Sequence, residues 1–454
     1  MASKRFGKFA ANVARARCPA PRRPWYIAKA VRWPCIARSF WPGLSISKDH
    51  RMAPLSGIRV VDLTRFISGP YLTMFLGDLG ADVIKIEHPL DGDATRRWGS
   101  GPFPSDNPYY LSVNRNKRSI GLDLKHADGM QTLEALIAKS DVLVINAIAG
   151  ALEQLGLSET RLRAINPQCV ICEITGYGDR GPDRRRGAFD FTIQAESGMM
   201  ALNGDPDGSP MKVGAPIMDV LTGLTACIAV QSALYERQST GRAPKVSTSM
   251  METALACMPN IVSDYLVAGI FPHRYGNAHP NLVPYEVYET SDRWLALGLG
   301  NEPQWKRLCT LIERPDLRDD ERFSINTARI AHREALNQQL KPVFAAQPLA
   351  WWLQSLARNA IPCAAVNTVA DALDSEQIRA MGMVQDVEHP LYRSIKMVRS
   401  PISIDGNPLP IRRPPPCLGQ HTDDILSGVL GLAPERIAAL RASGAVSGTA
   451  PSAV

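Results

Sequence analysis

The sequence predicts a doubly wound, Rossmann-like α/β large domain with a mostly parallel sheet, followed by a smaller α+β domain. Three features predict it. From residue 55 onward, short β-branched runs alternate with stretches of helical spacing. After Gly178 that alternation gives way to longer helices. Beyond residue 275 a hairpin pattern and a new set of helices mark a second, smaller unit.

Ile58–Leu63 is apolar and strand-like, and Pro70–Leu79 has helical spacing that Gly80 stops. Asp82–Ile86 reads as a second strand and Ser119–Leu124 as a third, after a loop rich in Pro, Asn and Arg. Ala127–Lys139 is an amphipathic helix, and Asp141–Asn146 and Cys169–Thr175 are strands. An arginine-rich loop, Asp179–Arg186, leads to a helix around Phe191–Leu202. A long apolar helix spans about Asp219–Gln238 and ends at Thr240-Gly241, followed by a strand at Lys245–Thr248 and a helix over Met250–Val267. Tyr285–Tyr288 and Trp294–Leu299 form a hairpin, with helices near 303–312, 329–345 and 350–357. Strand patterns return at Pro362–Val366 and near 383–388 and 395–404, and helices near 422–430 and 434–442 finish the body. The divisions that follow are a basic leader over 1–50, a large domain over 51–270, a small domain over 275–360, a return to the large domain over 361–442, and a disordered tail over 443–454.

Composition narrows the function. Apolar residues make up 45% and charged residues 21% of the 454, which is ordinary for a globular chain. The apolar stretch Leu221 to Leu234 is interrupted by Thr222, Thr225, Gln231 and Ser232, and reads as a buried core helix rather than a membrane span. The net charge of +7 is unevenly placed: residues 1–50 hold 11 Lys and Arg against Asp49 alone, leaving 40 basic and 43 acidic residues elsewhere. A near-neutral body gives nucleic-acid binding poor support. The leader has the Arg-rich, acid-poor composition of a mitochondrial transit peptide, although Pro19, Pro21, Pro24 and Pro34 limit any helix within it to short pieces. Nine scattered cysteines argue against a disulfide framework, and the lone pair Cys169 and Cys172 lies inside a buried strand. No cysteine–histidine cluster has zinc spacing, so no metal is expected.

Three stretches carry chemistry. In Gly214-Ala-Pro-Ile-Met-Asp219-Val-Leu-Thr-Gly223 an aspartate sits at the mouth of the long helix. Aspartate serves well there as an ordinary N-cap. The same place suits a nucleophile, because the positive end of the helix dipole keeps a carboxylate ionised, and an ionised carboxylate can attack an acyl carbonyl. A basic cluster, Arg115, Lys117, Arg118 and Lys125, with Arg96 and Arg97 upstream, is either a solvated loop or a holder of phosphate. Thr175-Gly-Tyr-Gly178 follows a strand and lets a ligand approach the backbone. Gly176-Tyr-Gly178-Asp-Arg-Gly181 has GxGxxG spacing but runs into the arginine-rich loop rather than opening a helix, so it is no dinucleotide fingerprint, and GxxxxGK[ST], GxSxG and HExxH are absent.

Taken in order, these segments resemble the family III CoA-transferases over about Leu55 to Leu432. The likeness rests on Pro54-Leu-Ser-Gly-Ile-Arg-Val-Val-Asp-Leu, Ser68-Gly-Pro, Leu79-Gly-Ala-Asp-Val-Ile-Lys-Ile-Glu87, Asn116-Lys-Arg-Ser119 and Leu122-Asp-Leu-Lys125. It continues through Thr175-Gly-Tyr-Gly178, Gln194-Ala-Glu-Ser-Gly198, Asp219 with Thr222-Gly223, Thr240-Gly241, and Leu418-Gly-Gln-His-Thr422. Each motif is weak alone; their order and spacing are specific.

The resemblance implies that Asp219 is the nucleophile. It carries CoA contacts onto Ile67, Ser68, His88, Leu122, Asp123, Leu124 and Lys125, then Asn146, Ala147, Ile148 and Gln154, and finally Gly187, Ala188, Phe189 and Asp190. His88 and Gln154 stand where formyl-CoA transferase has arginine, which implies rearranged contacts to the CoA phosphates or adenine, with Arg96, Arg97 or Lys125 as substitutes. The family's racemase branch pairs the aspartate with the histidine of a Gly-His-Asp triplet. This chain has Ala188-Phe189-Asp190, and phenylalanine cannot exchange a proton.

The loop Tyr275-Gly-Asn-Ala-His-Pro-Asn-Leu-Val-Pro-Tyr285 is similar to that of the dicarboxylate-using members, especially the mitochondrial succinyl-CoA:glutarate CoA-transferases. The resemblance therefore implies CoA transfer from an acyl-CoA such as succinyl-CoA to a dicarboxylate such as glutarate. The route is an aspartyl anhydride and an aspartyl-CoA thioester, in the mitochondrial matrix, with CoA as substrate and no tightly bound cofactor. Gly276, Asn277 and His279 are the candidate substrate loop, and Arg65, His88, Arg274 and His279 the candidate cations for the far carboxylate. An interlocked homodimer is expected, with no nucleic-acid or membrane partner. A 2-methylacyl-CoA racemase and a non-catalytic acyl-CoA-binding protein stay open as alternatives.

Overall fold

The computed structural model describes residues 53–99 and 106–447, so the leader over 1–50 lies outside the described residues. The central sheet contains six parallel strands: β1 (Arg59–Asp62), β2 (Asp82–Glu87), β3 (Lys117–Leu122), β4 (Val142–Asn146), β5 (Val170–Thr175) and β6 (Lys245–Ser249). Their spatial order is 3-2-1-4-5-6, with Val60 of β1 opposite Val83 on one side and Val142 on the other. The helices between them are α1 (Ser68–Asp78), α2 (Pro108–Leu111), α3 (Ala127–Ala138), α4 (Ala151–Gln154), α5 (Glu159–Ile165), α6 (Asp190–Glu196), α7 (Met199–Leu202) and α8 (Ile217–Thr240). After β6 come α9 (Met250–Ala256) and α10 (Pro259–Ala268).

Alternation along each strand builds two cores. Val61, Ile84, Ile120, Leu143 and Ile171 point to one face, where they meet Leu133 and Leu136 of α3 and Ile425 of the helix Thr422–Gly428. Val60, Val83, Val142 and Val170 point to the other, where they meet Leu72 and Leu76 of α1 and Ala226 and Val230 of α8. The middle of the sheet is therefore buried on both faces, which is why β1, β4 and β5 read as largely apolar runs, whereas β6 at the edge is polar and partly exposed. Cys169 joins one core and Cys172 the other, so the CxxC pair is split across the sheet.

By length and composition α8 could cross a membrane, but one face packs inside the protein through Met218, Thr222, Ala226 and Val230. The expectation of a buried core helix holds for that face only, because Ile228 and Tyr235 are 67% and 74% exposed. Gly223 lets α8 cross α1 closely: a Cβ there would lie 2.6 Å from the Ser68 carbonyl oxygen, which is backbone and cannot rotate away. Gly223→Ala is expected to destabilise the protein by about 1–3 kcal/mol, measurable by denaturant unfolding.

A separate core gathers Trp305, Phe323, Leu336 and Phe344 under an antiparallel sheet of β7 (Tyr285–Glu289), β8 (Trp294–Gly298) and β9 (Cys363–Ala365). The strand expected to begin the return to the large domain at 361 instead completes this small sheet, because Leu295–Leu297 pairs with Cys363–Ala365. The next segments, β10 (Val384–His389) with β11 (Arg393–Val398) and β12 (Ser403–Ile404) with β13 (Asn407–Pro408), form two-stranded pairs of their own. The expectation of disorder from 443 onward also fails in part. Val446–Ser447 forms β14, antiparallel to the outer strand β3, with Val446 buried opposite Leu122. Residues 448–454 lie outside the described residues.

Candidate active site

Strand order reverses between β1 and β4, and at such a point the segments leaving adjacent strands diverge in opposite directions and open a crevice. The structure has a cavity of about 400 Å³ there, walled by the segments that leave β1, β2, β3 and β4. Eight of the positions assigned to CoA line it: His88, Leu122 to Lys125, Asn146, Ala147 and Gln154. Ile148 borders a smaller adjoining recess with Glu173 and Thr175.

Asn146 stitches the switch point together. Its Oδ1 accepts the Arg65 N–H at 2.8 Å, and its Nδ2 donates to the Arg65 carbonyl at 2.6 Å and to Ser68 Oγ at 3.4 Å. Ile67 and Ser68 are buried at the start of α1. The Ser68 hydroxyl and N–H both lie close enough to the Asp219 carboxylate to pull its pKa down, so Ser68 links Asn146 of the crevice to the candidate nucleophile. Neither Asp219 nor Ser68 is a wall of the 400 Å³ cavity; Ser68 stands between Asp219 and the lining residue Asn146.

The helix begins two residues earlier than its pattern suggested, which puts Asp219 at its third position. The N-cap is Pro216, whose side chain has no acceptor. The cap comes from Asp190 instead, whose Oδ1 accepts the N–H of Met218 at 2.6 Å and of Asp219 at 3.3 Å. Its Oδ2 is held by Gln194 Nε2 at 2.6 Å. Asp190, assigned to CoA by resemblance, thus braces the helix that carries the nucleophile.

The expectation that the helix dipole keeps Asp219 ionised is also corrected. Burial and the neighbouring Asp190 charge push its pKa up to about 7, against the opposing pull of the Ser68 hydrogen bonds. A carboxylate that is basic, half-buried and still ionisable near neutral pH is a competent nucleophile.

An aromatic wall beside this pair had no signal in the sequence reading. Phe66 packs against Trp98 at 5.2 Å and edge-on against Phe189 at 6.0 Å, and Trp98 meets Tyr109 at 5.5 Å. Burial and the charges of Asp219 and Asp190 raise the Tyr109 pKa, which puts Tyr109 within electrostatic reach of both acids. Gly187 and Ala188 lead into this wall, and Ala188 packs near Tyr177 and Ile217.

The basic cluster is an internal framework. Arg96 is buried against Glu87 and Asp106, Arg115 binds Asp78 at 2.5 Å, Lys117 binds Asp62 at 3.2 Å, and Arg118 binds Asp82 at 2.6 Å. These charges are already spent, so Arg96 is withdrawn as a substitute for the missing phosphate arginines. Arg97 and His88 both lie near Asp91, at 3.5 and 3.3 Å. Arg65 and Lys125 line the crevice with exposed side chains and no ion pair among the described residues.

The substrate loop falls elsewhere. Gly276 and Asn277 line a second cavity of about 580 Å³ with Asp205, Glu286, Trp294 and Lys341, which shares no residue with the crevice. His279 is taken up locally: its Nδ1 accepts the Asn281 N–H, and its ring packs on Tyr285 at 5.2 Å. Arg274 donates to the carbonyls of Asp205 and Gly208 and so pins a loop.

Comparison with known proteins agrees with this geometry. The model of a family described as CoA-transferase family III matches residues 55–422. A succinyl-CoA:glutarate CoA-transferase of Mus musculus is 35% identical, covering 93% of this chain and 98% of its own length. A succinate–glutarate CoA-transferase of Agrobacterium fabrum is 37% identical, over 83% and 96%. The crystal structure of a CAIB/BAIF family protein from Brucella suis superimposes with a TM-score of 0.74 at 36% identity, covering 84% of this chain and all of the other.

Proposed function

Because this chain belongs to CoA-transferase family III, we propose that it carries CoA from succinyl-CoA to a dicarboxylate such as glutarate, with Asp219 as the covalent carrier. The observation that carries the reading is the Asp219 carboxylate: basic, half-buried, and joined through Ser68 to the crevice at the strand switch. The crevice takes the nucleotide end of CoA, with Arg65 and Lys125 free to meet its phosphates. The thioester then reaches past Ser68 to Asp219.

An Asp219 oxygen bonds to the acyl carbon and the C–S bond breaks, giving an acyl-aspartyl anhydride and CoA thiolate. The thiolate attacks the Asp219 carbonyl, forming an aspartyl-CoA thioester and releasing the donor acid. The acceptor carboxylate repeats these two steps in reverse and leaves as its CoA thioester. Bond energy passes from thioester to anhydride to thioester, so no ATP is consumed. Water must be kept from the anhydride, and the wall of Phe66, Trp98 and Phe189 is placed to do that. Phe189 packs on Phe66 and offers no proton, which leaves two-base α-proton exchange without its second base.

A homodimer is part of the proposal. Leu266, Val267 and Phe271, at the end of α10 and just after it, are 73%, 84% and 75% exposed, and with Ile228 and Tyr235 of α8 they leave much apolar surface for a second copy. The Arg-rich leader supports delivery to the mitochondrial matrix.

The test is direct. The purified protein is incubated with succinyl-CoA and a panel of dicarboxylates, and CoA exchange is followed by mass spectrometry. Glutarate or a close homologue is expected to accept CoA without ATP. Hydroxylamine added during turnover should inactivate the enzyme and modify Asp219. Absence of exchange with every acid in the panel overturns the proposal.

A further inference from the structure

We propose that Asp190 is a positioning residue for acyl transfer: its carboxylate fastens the first turn of α8 and, lying beside Asp219, favours the acylated over the free nucleophile. This rests on the reading of Asp219 as the covalent carrier.

The first N–H groups of a helix need acceptors from outside it. Pro216 supplies none, so Asp190 reaches in from the start of α6 and takes two of them on one oxygen, at 2.6 and 3.3 Å. Its other oxygen is fixed by Gln194, which is fully buried and whose Oε1 in turn accepts the Val213 N–H at 2.8 Å. Asp190 therefore cannot turn away from Asp219.

A cap does not require a charge, since asparagine and serine cap as well as aspartate. The charge at 190 has a second effect. In the free enzyme two carboxylates share one helix end, and the Asp190 charge so placed opposes the ionisation of Asp219. Around the pair, Tyr109 of α2 and Ser68 of α1 are neutral. Glu196 of α6 is held by Arg186 and Tyr177, and Glu252 of α9 by Ser249. Lys245 of β6 pairs with Glu173 of β5, and Asp78 of α1 with Arg115. Among the described residues no cation forms an ion pair with Asp190 or Asp219.

When Asp219 attacks the thioester, its oxygen bonds to the acyl carbon, the negative charge leaves on the CoA sulfur, and position 219 becomes neutral. The repulsion from Asp190 ends at that moment, in the anhydride and again in the aspartyl-CoA thioester. Asp190 thus raises the free ionised enzyme relative to both covalent states. It also keeps Asp219 basic, and a more basic oxygen is the better nucleophile.

Asp190→Asn keeps the oxygen that accepts from Met218 and Asp219, removes the charge, and gives up the hydrogen bond from Gln194. Three quantities are read on the intact enzyme: kcat/KM against pH, the fraction of protein carrying a covalent adduct at fixed acyl-CoA (by intact mass), and the thermal midpoint. In D190N the acid limb of kcat/KM is expected to move down by at least roughly half a pH unit, or about threefold in rate ratio below the midpoint. The adduct fraction should fall, while the thermal midpoint drops by no more than the loss of the single Gln194 hydrogen bond, a few degrees at most, and the protein stays folded. Asp190→Ser, a second uncharged cap, should shift the limb in the same direction and carries the test if D190N does not fold. A limb and adduct fraction unchanged in the folded variant overturn the role of Asp190 and leave that of Asp219 standing. Absence of any adduct in the parent enzyme overturns both.

Discussion

Asp219→Asn is expected to lower the rate of CoA exchange by roughly 10⁴-fold or more, because the loss of a covalent nucleophile removes the whole route rather than one stabilising contact. The fold should survive. Asparagine keeps the size of the side chain and can still accept from Ser68, while the α8 cap on Asp190 is untouched. The variant should also be more stable than the parent above neutral pH. The Asp219 pKa is about 7 in the folded protein and near the usual carboxylate value in the unfolded chain, so between those values the folded state binds more protons. Stability therefore falls as pH rises through that window, and the loss is complete above about pH 7. An uncharged residue at 219 removes this loss. Exchange assays with thermal unfolding at pH 5 and pH 8 check both halves. Undiminished turnover would sink the covalent mechanism, and a stability difference equal at the two pH values would sink the electrostatic account.

Arg96→Met should cost about 3–5 kcal/mol of stability while leaving the KM for acyl-CoA close to that of the parent, measured by denaturant unfolding and steady-state kinetics. The guanidinium donates from Nε to Glu87 at 2.8 Å and from a terminal nitrogen to the other Glu87 oxygen at 2.6 Å. It also binds Asp106, reaches the Pro416 carbonyl at 3.2 Å and lies over the Tyr110 ring at 3.7 Å. Glu87 in turn accepts from Ser119 Oγ and the Asp93 N–H. Methionine fills the space but leaves two buried acids without their cation, and stranding a buried charge costs more than the pair contributes. A selective rise in KM with stability intact would return Arg96 to the phosphate.

Both predictions depend on what the sequence could and could not disclose. The inner strands β1, β4 and β5 were legible because strands covered on both faces are apolar at most positions, and helical spacing between such runs leaves few topologies; the more polar β3 and β6 were read from their place in that alternation. Breaks inside helices were harder. Phe191–Leu202 is split at Gly198, whose φ of 89° lies in the left-handed region, and Met250–Val267 is split ahead of Pro259. The apolar pattern runs through both breaks. Charge was the least legible property. Arg96, Arg115, Lys117 and Arg118 look like a phosphate patch because their acids, Glu87, Asp78, Asp62 and Asp82, belong to other elements and meet them only after folding. The same holds for Asp190 and Asp219, which are far apart along the chain and share one oxygen's hydrogen bonds in space.

β14 carries a consequence for how the chain matures. Val446 and Ser447 close the open side of β3, and the Ser447 carbonyl also accepts from Thr422. During synthesis β3 leaves the ribosome hundreds of residues before this clasp exists. Until then it presents unpaired amides on the flank of an otherwise finished sheet. Trimming the chain ahead of Ala445 would make that interim state permanent, and the expected damage is self-association in the cell rather than a slower enzyme.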